Sequence, residues 1–280
     1  MRVFVSADME GITGVASAED CVRGEPEYER GTDLMHGDVN AAVAGAVAAG
    51  ADEVLVNDSH SSMRNLDRDR LDDRATLIRG NTKPRSMMQG LDADHDVALF
   101  VGYHAMAGTA GAVLNHTFFG HVLVRLRVNG IEAGELGWNA RLAAALGVPV
   151  GLVTGDDPTV AEARDELDGP ETVAVKTAID RFSAELRPAS ATTEEIRAAA
   201  ERAVERARAD EFSLRSVTEP ATIAADWSTT NAAARAAGLP GVAREADRTT
   251  AVTGDDYPSA FEDAVAMLRA GGDGVDEFYG

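Results

Sequence analysis

Three short apolar runs each end in side chains able to hold a cation, and this recurrence limits the fold more than any other feature of the chain. Val3-Phe4-Val5 leads into Asp8 and Glu10, Val54-Leu55-Val56 into Asp58 and His60, and Ala98-Leu99-Phe100-Val101 into His104. Apolar runs of this length, separated by helical patterns, read as buried strands of a parallel sheet. The carboxyl ends of such strands line one crevice, so residues distant in sequence meet there. Asp, Glu, His and His at three successive strand exits predict one polynuclear metal site and a metal-dependent hydrolase.

The same alternation predicts an α/β fold with a mostly parallel central sheet flanked by helices, and a smaller C-terminal α/β portion. An alanine-rich helical pattern covers 33–49 and stops at Gly50. Strands are expected at 53–57, 77–79 and 99–102. Val122, Val124, Leu126 and Val128 alternate with His121, Leu123, Arg125 and Arg127, the pattern of a half-exposed strand. Asn129-Gly130 then signals a hairpin, because both central residues of a type I′ turn need positive φ. A helix over 134–146 and a strand over 148–153 follow. Beyond Thr154 the pattern weakens, with helices near 159–167, 193–209, 229–237 and 259–269 and strands near 173–177 and 218–225. The charges on the 194–208 helix give it an exposed look. A soft boundary near 155 separates a metal-binding unit, 1–155, from 156–280, which is a smaller domain or a continuation of the first. The acidic run from Asp273 to Glu277 reads as solvated.

Charge narrows the partners. The chain has 47 acidic residues against 26 basic ones, a formal net charge of −21, and Lys83 and Lys176 are its only lysines. Such a field repels nucleic acid and anionic membrane, so neither is expected as a partner. Adaptation to high salt accounts for the excess, since counterions screen the self-repulsion; an acidic protein from a GC-rich genome is the plainer account. No apolar run approaches the roughly 20 residues of a membrane span, and no signal-peptide pattern opens the sequence. Cys21 is the single cysteine, so no internal disulfide forms and a cytoplasmic setting is expected.

Asp8 and Glu10 stand two apart, so on an extended strand exit both carboxylates point to one side, with Met9 facing the core. Gly11 and Gly14 permit a sharp turn after them. His60 and His104, taken singly, read as hydrogen-bonded loop histidines; their shared position after strands favours a ligand role. Glu135 opens a helix after Gly134, with Asn139 one turn later on the same face, and an acid there is favourable whatever its function. Glu132 is its nearest decoy. His116, just past the glycine-rich 108–111 loop, suits general acid–base work because its ordinary pKa lies near neutrality. His36, His95 and His121 read as surface or helix residues. Lys176 and Arg181 either contact substrate or pair across a subunit interface.

Beyond these single residues, Ser6-Ala7-Asp8-Met9-Glu10-Gly11 resembles the S-x-D-x-E-G signature of the zinc-dependent D-aminopeptidase family, peptidase family M55. The resemblance continues through Asn57-Asp58-Ser59-His60, Met63-Arg64-Asn65-Leu66, Gly102-Tyr103-His104, Asn115-His116, and Asn129-Gly130 through Gly134-Glu135 to Asn139-Ala140. These blocks keep order and spacing over about the first 150 residues. Ser61 departs from the pattern, which has glycine after the histidine. The resemblance implies two zinc ions held by Asp8, Glu10, His60, His104 and Glu135, with Asp8 bridging; manganese or cobalt suits the same donors. It implies His116 as the catalytic residue, a metal-activated water as nucleophile, and short peptides with an N-terminal D-residue as substrates. It also implies a homo-oligomer, a ring-like decamer. Competing readings are a dimetal amidohydrolase or phosphoesterase acting on another small substrate, and a non-catalytic peptide-binding protein.

Overall fold

The computed structural model describes residues 1–273, so the acidic run beyond Asp273 lies outside the described residues. The first half runs β1 (Arg2–Ala7), α1 (Ala18–Cys21), α2 (Tyr28–Ala48), β2 (Glu53–Asp58), β3 (Ala75–Ile78), β4 (Val97–Val101), β5 (Leu123–Val128), β6 (Ile131–Glu132) and α3 (Glu135–Ala145). Next come β7 (Val150–Asp156), α4 (Asp157–Glu166), β8 (Glu171–Asp180), β9 (Ser183–Leu186) and α5 (Ala189–Arg208). The chain ends through β10 (Ala221–Trp227), α6 (Thr230–Ala236), β11 (Ala243–Ala246), β12 (Thr249–Gly254) and α7 (Tyr257–Gly272).

The central sheet has the order β3-β2-β1-β4-β7-β8-β9 and is parallel except for the β8–β9 hairpin. A second sheet, β11-β12-β10-β5-β6, is antiparallel. Residue 155, where the sequence suggests a soft boundary, lies inside β7.

Strand alternation decides which layer each residue joins. Val3, Val5 and Ala7 of β1 pack with Val97, Leu99 and Val101 of β4 against α2 and α5. Phe4, Ala98 and Phe100 face the opposite way, into the core shared with α3, α7 and the second sheet. Trp138 fastens that layer, stacking on Phe261 of α7 with ring centres 3.9 Å apart while Tyr257 donates to its carbonyl.

Several sequence expectations change in structure. The 194–208 helix is half buried: Ile196, Ala199, Ala200, Ala203 and Val204 form its inner face, and Glu194, Arg197 and Glu201 pair with one another outside. Charges of both signs on its outer face gave the exposed look, while the apolar residues between them form one continuous inner face. In β5, Leu123, Leu126 and Val128 are inward while Val124 is exposed, because a register shift against β10 at Asp226/Trp227 breaks the alternation. His95 is buried, its ring edge-on to Phe4, and lies in no helix, so it is neither a surface nor a helix residue; His36 is a helix residue as expected, buried within α2. The hairpin turn holds, with φ of 49° at Asn129 and 82° at Gly130. The helices at α4 and α7 begin earlier than expected because Pro158 and Pro258 sit in their first turns, where proline is tolerated, behind the capping side chains of Asp156 and Asp256.

One backbone contact sets the width of the crevice. A Cβ on Gly11 would lie 1.8 Å from the carbonyl oxygen of Tyr103, so the exits of β1 and β4 touch main chain to main chain. Its glycine is required by this approach rather than by a turn. Gly11→Ala should therefore lower stability by about 2 kcal/mol or more, read as a shift in denaturation midpoint; an unchanged midpoint would mean that the strands do not meet there.

Candidate metal centre

β1 lies between β2 and β4, where the order of strands reverses direction. Crevices of open sheets form at such a switch point. Main-chain bonds hold the exits in register: Asp8 N–H donates to Val101 at 2.8 Å, Ser59 N–H to Ala7 at 2.8 Å, and Gly11 N–H to Gly102 at 2.8 Å. Asp8 and Glu10 leave β1, His60 follows β2, His104 follows β4, and Glu135 enters from the start of α3. All five are buried and face one another.

His60 Nδ1 lies 2.9 Å from Glu10 Oε2 and 3.4 Å from Asp8 Oδ1. His104 Nε2 lies 3.4 Å from Asp8 Oδ2 and 3.4 Å from Glu135 Oε1. The two oxygens of Asp8 thus face different histidines. His116 Nε2 stands 3.8 Å from Glu10 and 3.9 Å from Glu135, and its ring stacks on that of His104 at 4.0 Å. Two overlapping triads, Asp8–Glu10–His104 and His104–His116–Glu135, each bring ligand atoms within 4.8 Å of one another.

Each histidine has its other nitrogen tied to a backbone carbonyl: His60 Nε2 to Cys21, His104 Nδ1 to Ala105 and His116 Nδ1 to Leu114. That bond fixes the tautomer and leaves one lone pair aimed into the cluster, the arrangement metal-binding imidazoles use. Asp8 Oδ2 and His104 Nε2 are buried and have no hydrogen-bond partner among the described residues. Buried polar atoms are ordinarily satisfied, so an oxygen and a nitrogen left facing each other fit a cation as their shared partner.

The electrostatics agree. Burial and the repulsion of Glu10 push Asp8 up to about 7. Burial works to raise Glu10, but the charge of His60 outweighs it and holds Glu10 well below the usual carboxylate range. Burial likewise opposes charge on His60 and His104, yet Glu10 and Glu135 respectively push them well above the ordinary imidazole value. His116 goes the other way, lowered by burial and by His104. Carboxylates and imidazoles here neutralise one another; a divalent cation neutralises the carboxylates while leaving the imidazoles neutral.

Other candidates fall outside the cluster. Asp58 accepts from the Asn65 and Leu66 N–H groups at 2.6 and 2.8 Å, so it shapes the loop that carries His60 instead of facing the site. Ser61, where glycine was expected, has φ of 49°, the left-handed region that favours glycine. Glu132 pairs with Arg125 in the exposed β5–β6 hairpin. A cleft of about 1070 Å³ opens from the cluster and is walled by Phe118 and Trp138, by Leu268 and Arg269 of α7, and by Arg181 and Phe182 at the β8–β9 turn.

The family of sequences described as D-aminopeptidase, M55, matches this chain over residues 1–266. The chain belongs to that family. It is 42% identical over 192 residues to a D-aminopeptidase of Bacillus subtilis strain 168, covering 68% of this chain and 69% of that one. Its fold matches the Zn-dependent D-aminopeptidase DppA from Bacillus subtilis, described as a self-compartmentalizing protease, with a TM-score of 0.92 and 32% identity over 97% of this chain and 98% of that one.

What M55 sequence blocks do not convey is the layer behind the cluster. Ser6 Oγ lies 2.7 Å from Tyr103 OH and 2.9 Å from Ser59 Oγ, and Asn139 Nδ2 donates to the same Tyr103 oxygen at 3.0 Å, joining three strand exits to α3. Phe118 N–H donates to Glu135 at 2.6 Å. Glu162, pushed up to about 7 by burial, accepts from Met106 N–H and braces the loop after His104. Lys176 neither faces substrate nor reaches the surface. Its buried Nζ donates to the carbonyls of Glu10, Ile12 and Val15 at 2.6, 3.1 and 2.7 Å, folding the loop that presents Glu10. Only its rarity in a chain with one other lysine marked it. Lys176→Met strands three buried acceptors and should lower stability by at least about 3 kcal/mol, measured by chemical denaturation; a loss under about 1 kcal/mol would show that the loop holds without it.

Proposed function

We propose that the protein is a metal-dependent aminopeptidase that hydrolyses short peptides carrying an N-terminal D-amino acid. The observation that carries this reading is the facing pair of unpartnered buried atoms, Asp8 Oδ2 and His104 Nε2, inside a cluster of carboxylates and imidazoles. Membership of M55 and the zinc dependence of the structural relative support it. Asp8, Glu10, His60, His104 and Glu135 would hold two zinc ions, and the two oxygens of Asp8 face different histidines. Manganese or cobalt accepts the same nitrogen and oxygen donors. Bound there, divalent ions polarise a scissile carbonyl and lower the pKa of water toward about 7.

The chain's own groups supply the rest. His116 Nδ1–H is held by the Leu114 carbonyl, so Nε2 carries the lone pair. Its pKa is lowered, so it is neutral near pH 7 and able to take a proton and return it to the leaving amine. Burial of the cluster strengthens its charges by lowering the local dielectric. The acidic lining suits a free peptide amine. Arg125 and Arg127 sit in β5, pair with Glu132 and Asp226, and do not line the cleft.

Assembly and setting extend the proposal. The self-compartmentalizing character of the relative supports a homo-oligomer, and the ring-like decamer implied by the family resemblance is the form proposed for it. No helix among the described residues is long and apolar enough to cross a membrane, and the lone cysteine supports a cytoplasmic setting. The net charge of −21 supports adaptation to high salt. In that case the melting temperature rises between low salt and molar KCl, because screening relieves self-repulsion; equal stability in both removes the halophile reading.

Metal content per chain, measured by mass spectrometry on protein purified without added metal or chelator, tests the core claim. About two equivalents are expected, and no metal bound or taken up on titration would overturn it. Asp8→Ala should lose both ions together with activity. His116→Ala should keep its metal and lose activity by about a hundredfold or more; loss of metal instead would assign His116 to coordination.

A further inference from the structure

Three arginines line the cleft, and two are already engaged. Arg23 donates to the Tyr28 hydroxyl and the Arg64 carbonyl, and Arg269 to the carbonyls of Asn81 and Lys83. Arg181 differs. Its guanidinium lies 5.5 Å over the Phe182 ring and has no hydrogen bond or ion pair among the described residues. Its main chain is nonetheless fixed: Asp180 takes its N–H at 2.7 Å, and its carbonyl accepts from Leu114 N–H at 2.8 Å. Leu114 in turn holds His116 through its own carbonyl. The β8–β9 turn is therefore coupled to the segment bearing His116 through one residue.

We propose that Arg181 receives the C-terminal carboxylate of the substrate, so that the cleft selects short peptides with a free acid end. This rests on the peptidase reading above. A peptide whose amine lies at the metal cluster brings a carboxylate into a cleft on a protein of net charge −21, where the field repels it. A guanidinium without an acid partner removes that penalty and offers a planar fork that matches a carboxylate. Phe182, 62% exposed beside it, gives the ring surface that shields the pair from water. Peptide length then decides whether the carboxylate reaches the turn.

The test uses D-alanyl di-, tri- and tetrapeptides, each as the free acid and as the C-terminal amide, with wild-type protein, Arg181→Gln and Arg181→Lys. At the favoured length the wild type should prefer the acid by about 10–100-fold in kcat/KM, the range for a hydrogen bond to a charged group. Arg181→Gln should bring the acid down toward the amide, chiefly through KM, with bound metal per chain unaltered, and Arg181→Lys should recover part of the preference. Equal turnover of acid and amide by the wild type at every length, or a preference that survives in Arg181→Gln, overturns the role of Arg181 and leaves the peptidase reading standing. No turnover of any of these peptides overturns the peptidase reading and this inference with it.

Discussion

Three carboxylates, from Asp8, Glu10 and Glu135, are buried in one crevice, and the surrounding structure answers that concentration of negative charge. Unpaired, they would repel each other in a medium that screens poorly. Two imidazoles face them, and the arrangement is stable only if each ring is turned correctly. Hence the backbone carbonyls of Cys21 and Ala105 hold the far nitrogens of His60 and His104. The same constraint explains Lys176, a buried cation placed behind Glu10 and bonded to the loop's carbonyls rather than to any carboxylate. It compensates charge and sets geometry at once, without competing for the donors in front.

The sheet makes this concentration achievable. Parallel strands deliver their exits to one edge, and β1, placed between β2 and β4, puts Asp8 and Glu10 between the histidines. A crevice so narrow leaves no room for a Cβ at Gly11, where the two main chains touch. Precision at the cluster therefore derives from backbone packing and strand register, which are the stiffest features a fold has. The second sheet and α7 contribute little to the cluster itself. α7 forms part of the far wall of the cleft through Leu268 and Arg269, and the second sheet packs behind that layer.

That division explains what the sequence made legible. Strand exits announce themselves because an apolar run and a polar ligand are adjacent in the chain, so Asp8, Glu10, His60 and His104 could be read together. Asp58 shows the limit of this reading: it has the right position, yet its carboxylate satisfies the N–H groups of Asn65 and Leu66. Glu162 was hidden, and Lys176 stood out without its role being legible, because the groups they bond lie far away in sequence. β9 and β11 leave little trace because their runs are short and mostly exposed, every residue of β11 being exposed. β12 is longer and mostly buried, but four of its six residues are threonine or glycine flanking only Ala251 and Val252, so it lacks an apolar run. The register shift opposite Trp227 defeated the alternation in β5, since one irregular step exchanges the faces of the residues beyond it.

The chemistry and the selectivity of this site consequently rest on different kinds of structure. The cluster sits on strand ends and a helix start, locked by main-chain bonds; a small displacement there would misplace donors that must converge within a few ångströms. The β8–β9 turn is an edge hairpin with exposed Ile179 and Phe182, and its link to the centre is the short route through Leu114. A hairpin tip tolerates substitution far better than a parallel strand exit. Changes at residues 179–182 can then retune which peptide ends are accepted while the cluster stays intact. The Leu114 bridge also means that a backbone displacement of the turn reaches His116 before it reaches the carboxylates, whereas a change of side chain at the tip alters recognition alone.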